Sequence, residues 1–189
     1  MIKRKRNVKI NNTFDYFDVL AYTDSMSIFV KATPAPVPKS KDIRTFSILA
    51  AVMIMILAVT QIITFNAFPE ILSNYWLVGG GVSAAVIAGL LVAFEVLSVP
   101  FLLGLRMSPA MRVVSMVSGW LLVIIWLFLL VPANFGMTAI ENAGMLGATL
   151  AEPISWWLVV RVVALGVLIA WAAWGMWPFP ARKSPATTS

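Results

Sequence analysis

Two charged side chains, Glu95 and Arg161, lie inside long apolar stretches of the sequence. A carboxyl near the centre of a membrane-spanning helix costs about 2.5–3.5 kcal/mol on insertion scales, so such residues usually face a bundle interior or a polar cavity. The chemistry open to a carboxyl there is proton binding, a place on an ion route, or acid–base catalysis. Glu95 is therefore the first candidate functional residue, and Arg161 is the second.

The elements that must position these residues are membrane helices. The 189 residues are 60% hydrophobic and 12% charged, with a mean hydropathy of +0.90. Stretches of about 20 predominantly apolar residues predict spans at 46–65, 76–105, 113–131 and 156–177. The spans are apolar on all sides, unlike the alternating strands of a barrel. We therefore predict an all-α membrane protein, a four-transmembrane-helix antiparallel bundle within residues 45–178.

The charges flanking the spans predict how the bundle is oriented. Of the 14 Lys and Arg residues, nine precede the first span, two lie between the second and third, and two follow the fourth. Basic flanks stay on the cytoplasmic side, so residues 1–44 and 179–189 are predicted to be cytoplasmic tails. We expect a multi-pass protein of a bacterial or archaeal plasma membrane, with lipid rather than nucleic acid as the partner of this charge.

A Pro-rich segment joins the basic tail to the first span. Pro34, Pro36 and Pro38 alternate with other residues in it, a pattern typical of an extended, semi-rigid spacer. Such a spacer would allow the tail to reach a partner protein.

The depths of the two charges follow from the helical rise of about 1.5 Å per residue. Glu95 precedes Arg106 by eleven positions, which places it about 16 Å from the cytoplasmic boundary. Arg161 follows Trp156 by five positions, so it lies about 8 Å below the outer boundary. At that depth Gln61 would share a polar layer with Arg161. A direct salt bridge between Arg161 and Glu95 is the alternative that the sequence leaves open.

Glu95 is expected to have mainly apolar surroundings, with Ser98 and Ser118 as modest hydrogen-bond donors. Five residues after it, Pro100 lacks the backbone N–H that would bond the Val96 carbonyl, so a helix kink is predicted there. The kink could form a polar pocket beside the carboxyl, or it could serve packing alone.

Three further features are open to two interpretations each. Trp171 and Trp174 share a helix face and could contact a quinone or pigment, or pack in the core. Gly81, Ala85 and Gly89 form a small-residue stripe, expected to pack inside the bundle rather than form a homodimer seam. The connection 133–155 is expected to be a surface loop, although part of it could dip inward.

Cysteine and histidine are both missing from the sequence. Disulfides, thiol chemistry and Cys-ligated clusters are therefore excluded, and the usual ligands of haem, copper and zinc are lacking. We predict no metal site, and as cofactors only a quinone, pigment or lipid bound without Cys or His.

The stretch Phe94–Arg106, with its mid-helix acid, apolar continuation and Gly-x-Arg ending, resembles the DoxX and MauE-like group of small four-helix membrane proteins. The resemblance implies a compact bundle that serves a redox system, such as a quinone-linked oxidising complex or the maturation of a periplasmic dehydrogenase. Glu95 and Arg106 are the positions that match, whereas Gln61 stands where a basic residue is expected.

Three classes of function follow from these features. The first is an accessory or structural subunit of a larger redox or energy-converting membrane assembly, with other membrane proteins as partners. The second is a small oligomeric transporter or channel in which Glu95, Gln61 and Arg161 line a route. The third is the membrane subunit of a quinone-linked oxidoreductase with Glu95 as acid or base; since no pair of nucleophile and base is evident, we expect no activity of the chain's own.

Overall fold

The fold is an all-helical membrane bundle, as the computed structural model describes it for residues 32–136 and 140–177. The predicted tail up to residue 31 and the predicted tail 179–189 lie outside these ranges. The helices are α1 Lys41–Ile63, α2 Phe68–Ser73, α3 Gly80–Leu102, α4 Pro109–Phe135 and α5 Trp156–Gly175. All except α2 are long and apolar enough to cross a membrane, which confirms the predicted four-span fold.

The long helices form a four-sided bundle. Both α1 and α4 pack against α3 and α5, so α1 lies diagonally opposite α4. The core between them contains Ile54, Leu91, Leu122 and Ile169, all of which are buried. We call the end of the bundle nearest Lys41 and Gly175 the tail end, and the opposite end the loop end.

Capping residues move two helix starts away from the predicted spans. Ser40 caps α1 because its side chain accepts a hydrogen bond from the Ile43 N–H at 3.3 Å, so the helix begins five residues before position 46. Ser108 does the same for α4 through the Met111 N–H, and Pro109 fits the first helical turn. In both cases a polar cap outside the apolar run decides where the helix begins.

The third helix is shorter than its predicted span of 76–105. Gly79 and Gly80 have φ values of +99° and +58°, and Gly104 has +66°. These left-handed conformations are open to glycine without a Cβ clash. The backbone therefore turns at both ends, although the sequence stays apolar.

The connection before α3 contains a short helix, α2, that the sequence interpretation did not include. Pro69 lies in its first turn, where the missing backbone N–H has no cost. Phe68 and Leu72 are fully buried, so α2 closes the loop end of the bundle.

The Pro-rich segment does not extend away from the bundle as a spacer. Thr33 pairs with Met107 through two backbone hydrogen bonds of 3.0 and 3.3 Å. The buried Arg112 guanidinium donates to the Thr33 carbonyl, the Thr33 hydroxyl and the Pro34 carbonyl. Residues 33–34 are thus fixed against the tail end, because a buried guanidinium needs hydrogen-bond acceptors and these two residues supply them.

Pro100 lies inside α3, and the helix continues beyond it to Leu102. A hydroxyl from α4 supports this stretch, since Ser115 accepts from the Phe101 N–H at 3.0 Å and donates to the Leu97 carbonyl. These are the two backbone groups that an unbroken helix would join. The candidate kink is therefore a contact point between α3 and α4.

The small-residue stripe lies on the outer face of α3, so the expectation that it packs within the bundle is wrong. Ala85 is exposed, and a Cβ added at Gly81 or Gly89 would meet nothing within 4 Å. The inner face presents Ala84 and Ala88 instead.

The packing of α5 on α1 gives a test of the bundle. A Cβ at Gly175 would overlap the branched side chain of Ile43, and overpacking of this kind costs about 1–3 kcal/mol. We therefore expect Gly175→Ala to lower the free energy of unfolding by that amount in reversible denaturation in mixed micelles.

The matched control is Gly89→Ala, which has open space and should leave the free energy of unfolding unchanged or slightly raised. Ile43→Ala should relieve much of the loss when it is combined with Gly175→Ala. Equal effects of the two glycine substitutions would contradict the described α1–α5 packing.

Candidate functional site

Glu95 and Gln61 form a direct side-chain contact in the bundle interior. Both side chains have 0% exposure, and the Gln61 Nε2 donates to Glu95 Oε1 at 2.9 Å. The contact joins α1 to α3. Gln61, which was expected to lie beside Arg161, is therefore the hydrogen-bond partner of Glu95.

Side-chain direction explains how residues at different levels meet. The Ser47 hydroxyl donates to the Leu102 carbonyl, which sets α1 and α3 in register at the tail end. From that level the helical rise puts the Cα atoms of Gln61 and Glu95 about 10 Å apart along the bundle axis. Side chains tilt toward the N-terminus of their own helix, and in this antiparallel pair the two therefore extend toward each other.

The same amide also holds the connection between α4 and α5. Gln61 Nε2 donates its second hydrogen to the Met145 carbonyl at 3.0 Å. A single buried amide group thereby joins two helices and the loop.

The segment 142–147 is a tight turn that delivers the Met145 carbonyl. Asn142 accepts from the Gly144 N–H at 2.9 Å and donates to the Gly147 carbonyl at 3.2 Å. Gly144 and Gly147 have positive φ values, and a Cβ at Gly147 would collide with the Thr64 hydroxyl of the α1 end. The loop can therefore lie directly against α1 only with glycine at this position.

This loop dips inward, so the expectation of an ordinary surface loop is wrong. Ala143 and Met145 are buried. Tyr75 donates from its phenol to the Ala143 carbonyl at 2.8 Å, and burial raises the pKa of Tyr75, which keeps the phenol protonated as a donor. A further bond runs from the Ala148 N–H to the Thr64 hydroxyl.

Arg161 pairs with this loop and not with the predicted polar layer. Its guanidinium makes two hydrogen bonds to the Glu152 carboxylate, at 2.9 and 3.1 Å. The Arg161 side chain is 38% exposed and that of Glu152 22%, so solvent screening keeps the contribution of the pair modest. Among the described residues Gln61 bonds Glu95 and Met145, so the structure does not bring Gln61 and Arg161 together.

A third buried side chain, Trp126 of α4, lies beside the Glu95 carboxyl. Its indole N–H has no hydrogen-bond partner within the described ranges. Four buried side-chain atoms have no hydrogen-bond partner among the described residues. Three of them meet here, Trp126 Nε1, Glu95 Oε2 and Gln61 Oε1, and the fourth is Arg161 Nε. We call Glu95, Gln61 and Trp126 the buried centre.

The serines expected to serve Glu95 bond their own helices instead. Ser98 donates to the Glu95 backbone carbonyl, and Ser118 donates to the Val114 carbonyl. The Glu95 side chain is therefore left with neutral amide and indole neighbours.

Trp171 and Trp174 lie on the outer surface near the tail end, not in the core. Their exposures are 44% and 66%. Trp171 packs on Phe46 with 5.4 Å between ring centroids, and the Lys39 ammonium lies 4.7 Å from the Trp174 ring. Both rings therefore face the surroundings of the bundle rather than the buried centre.

The chemistry available at the buried centre is hydrogen bonding and proton exchange. A carboxyl, an amide and an indole supply donors and acceptors, but none of them is an activated nucleophile. In the described ranges 32–136 and 140–177 no three His, Cys, Asp or Glu side chains cluster as metal ligands.

Sequence reasoning missed Trp126 and the Gln61–Glu95 pair. Trp126 lies well inside its helix, away from the ends where aromatic belts occur, and that position was a usable signal. The Gln61–Glu95 pair had no sequence signal, because its two residues lie at different depths and meet only through opposed side-chain tilts.

The loop should depend on the Gln61 amide. Gln61→Leu leaves the Glu95 carboxyl and the Met145 carbonyl without their donor, and a buried unpaired group costs about 1–3 kcal/mol. Because the chain has no cysteine, a cysteine at the buried Ala143 reports loop opening. We expect Gln61→Leu to speed its alkylation in nanodiscs about tenfold, the equivalent of about 1.4 kcal/mol.

Leu150→Cys is the control, because this residue is 54% exposed and should react at the same rate with or without Gln61. An unchanged rate at Ala143→Cys would show that the loop does not depend on the amide.

No family model, curated protein or solved structure matches this chain. The resemblance of Phe94–Arg106 to the DoxX and MauE-like group therefore stays a prediction.

Proposed function

We propose that this protein is an accessory or structural subunit of a larger membrane assembly, which it joins through the outer small-residue face of α3. The observation that carries the proposal is the open space at Gly81 and Gly89, where an added Cβ would meet no atom within 4 Å. The exposed Ala85 lies between them.

The physical reason is the way helices associate in lipid. Association there depends on close backbone approach, which small residues permit. The outer faces of α1 and α5 carry bulky exposed residues, such as Ile56 and Val160, whereas on α3 the exposed Val82 and Val86 flank the small residues. A transmembrane helix of a partner subunit is therefore the occupant that fits the α3 face.

A redox or energy-converting assembly is the setting we propose. The resemblance of Phe94–Arg106 supports it, and the lack of Cys and His assigns any redox metal to the partner. The outward-facing Trp171 and Trp174 support contact with lipid or a quinone near the tail end. In the proposed orientation that end is cytoplasmic.

A transporter is the second candidate, favoured by the unpaired Glu95 Oε2 in the interior. It requires ion or substrate flux in proteoliposomes that depends on Glu95. Flux unaffected by Glu95→Gln would exclude it.

Photo-crosslinking in the native membrane tests the assembly proposal. A diazirine amino acid replaces Val86, which is exposed beside the stripe, or Val160 on α5 as a control of similar exposure. We expect a discrete protein adduct from position 86 and lipid adducts from position 160. Gly89→Leu should abolish the protein adduct, because its side chain would project into the space that the partner helix occupies; a Cβ at this position meets no atom of the bundle within 4 Å.

Lipid adducts alone at both positions would contradict the proposal. An adduct of the chain with itself would replace the partner by a second copy, and would also contradict it.

A further inference from the structure

The buried centre contains three polar atoms that the protein itself does not satisfy. Gln61 Oε1, Glu95 Oε2 and Trp126 Nε1 have no hydrogen-bond partner in the described part of the chain. Their side chains come from α1, α3 and α4 and are all fully buried. An unpaired buried polar atom is unfavourable, so three at one place indicate a ligand.

The three atoms must lie close together. Gln61 Nε2 contacts Glu95 Oε1 at 2.9 Å. The unpaired atoms Gln61 Oε1 and Glu95 Oε2 belong to the same amide and the same carboxyl group, so they lie on either side of this contact. The Trp126 indole approaches the same carboxyl. The three atoms therefore border the same small part of the bundle interior.

Their donor and acceptor properties specify which molecule fits. With Glu95 ionised, the atoms offer one donor and two acceptors; with Glu95 protonated at Oε2, they offer two donors and one acceptor. Water both donates and accepts two hydrogen bonds, so it satisfies the set in either state. A carbonyl cannot donate and an ammonium cannot accept, while an alcohol, with one hydrogen, satisfies the set only when Glu95 is protonated.

We propose that the buried centre is a binding site for a single water molecule, held by Gln61 Oε1, Glu95 Oε2 and Trp126 Nε1. Buried waters in proteins typically make about three such bonds. The water connects α4 to the Gln61–Glu95 pair and, through the Gln61 amide, to the Met145 carbonyl. This inference stands independently of the proposed assembly function.

Nuclear magnetic resonance on the full chain, labelled with ¹⁵N in the indole groups, tests the site. The protein is placed in nanodiscs of deuterated phosphatidylcholine, a lipid without a hydroxyl group, so that water is the sole bulk source of an O–H partner. Cross-relaxation between each indole proton and water is measured. The indole resonance that disappears in Trp126→Phe is that of Trp126. If Trp126→Phe does not fold, the resonance that shifts in Glu95→Gln gives the assignment instead.

We expect water cross-relaxation at the Trp126 indole at least fivefold above that at Trp120, the matched control on the lipid-facing side of α4. Gln61→Met, which removes the amide oxygen, should lower the Trp126 signal at least twofold. Cross-relaxation of Trp126 with protein protons alone would show that its indole bonds the carboxyl directly, and would overturn the proposal.

Discussion

The rest of the loop end depends on one amide group, that of Gln61, which uses both of its hydrogens. One bonds the Glu95 carboxyl and the other bonds the Met145 carbonyl. In an apolar interior an unpaired polar group is costly, so both hydrogens of this amide need acceptors close by. The amide therefore specifies how α1, α3 and the connection before α5 come together.

Neighbouring contacts make this arrangement possible. The glycines at 144 and 147 let the loop turn against α1, and Tyr75 and the Arg161–Glu152 pair hold it from two further sides. The loop thus closes the bundle over the centre. Its inward path follows from the need to bring a backbone acceptor to Gln61.

Most other buried polar side chains serve the helices rather than one another. Ser47, Ser98, Ser115 and Ser118 all donate to backbone carbonyls, as does Arg112. Ser47 and Ser115 bond carbonyls near the end of α3, Ser98 and Ser118 bond carbonyls of their own helices, and Arg112 bonds the segment before α1. The buried centre differs because its side chains bond each other and retain unpaired atoms, which is the pattern expected of a binding site.

The four spans could be predicted from the sequence because length and hydropathy determine them. The sequence did not indicate which face of each helix lies inside the bundle. A helix that is apolar all round gives no signal for which side is inside, so the stripe at Gly81 and Gly89 was assigned to the wrong face. Glu95 was identifiable from its cost in the membrane. Its partner was not, because the pairing depends on helix register and side-chain tilt.

The most direct test is a double-mutant cycle on Gln61 and Glu95. The free energy of unfolding is measured in mixed micelles for Gln61→Leu, Glu95→Leu and both together. Contacting residues show coupling of about 0.5–3 kcal/mol, whereas distant sites add within about 0.3–0.5 kcal/mol. We predict that the loss of unfolding free energy in the double variant is smaller than the sum of the two single losses, by about 1 kcal/mol or more. Strict additivity would contradict the central role of this hydrogen bond.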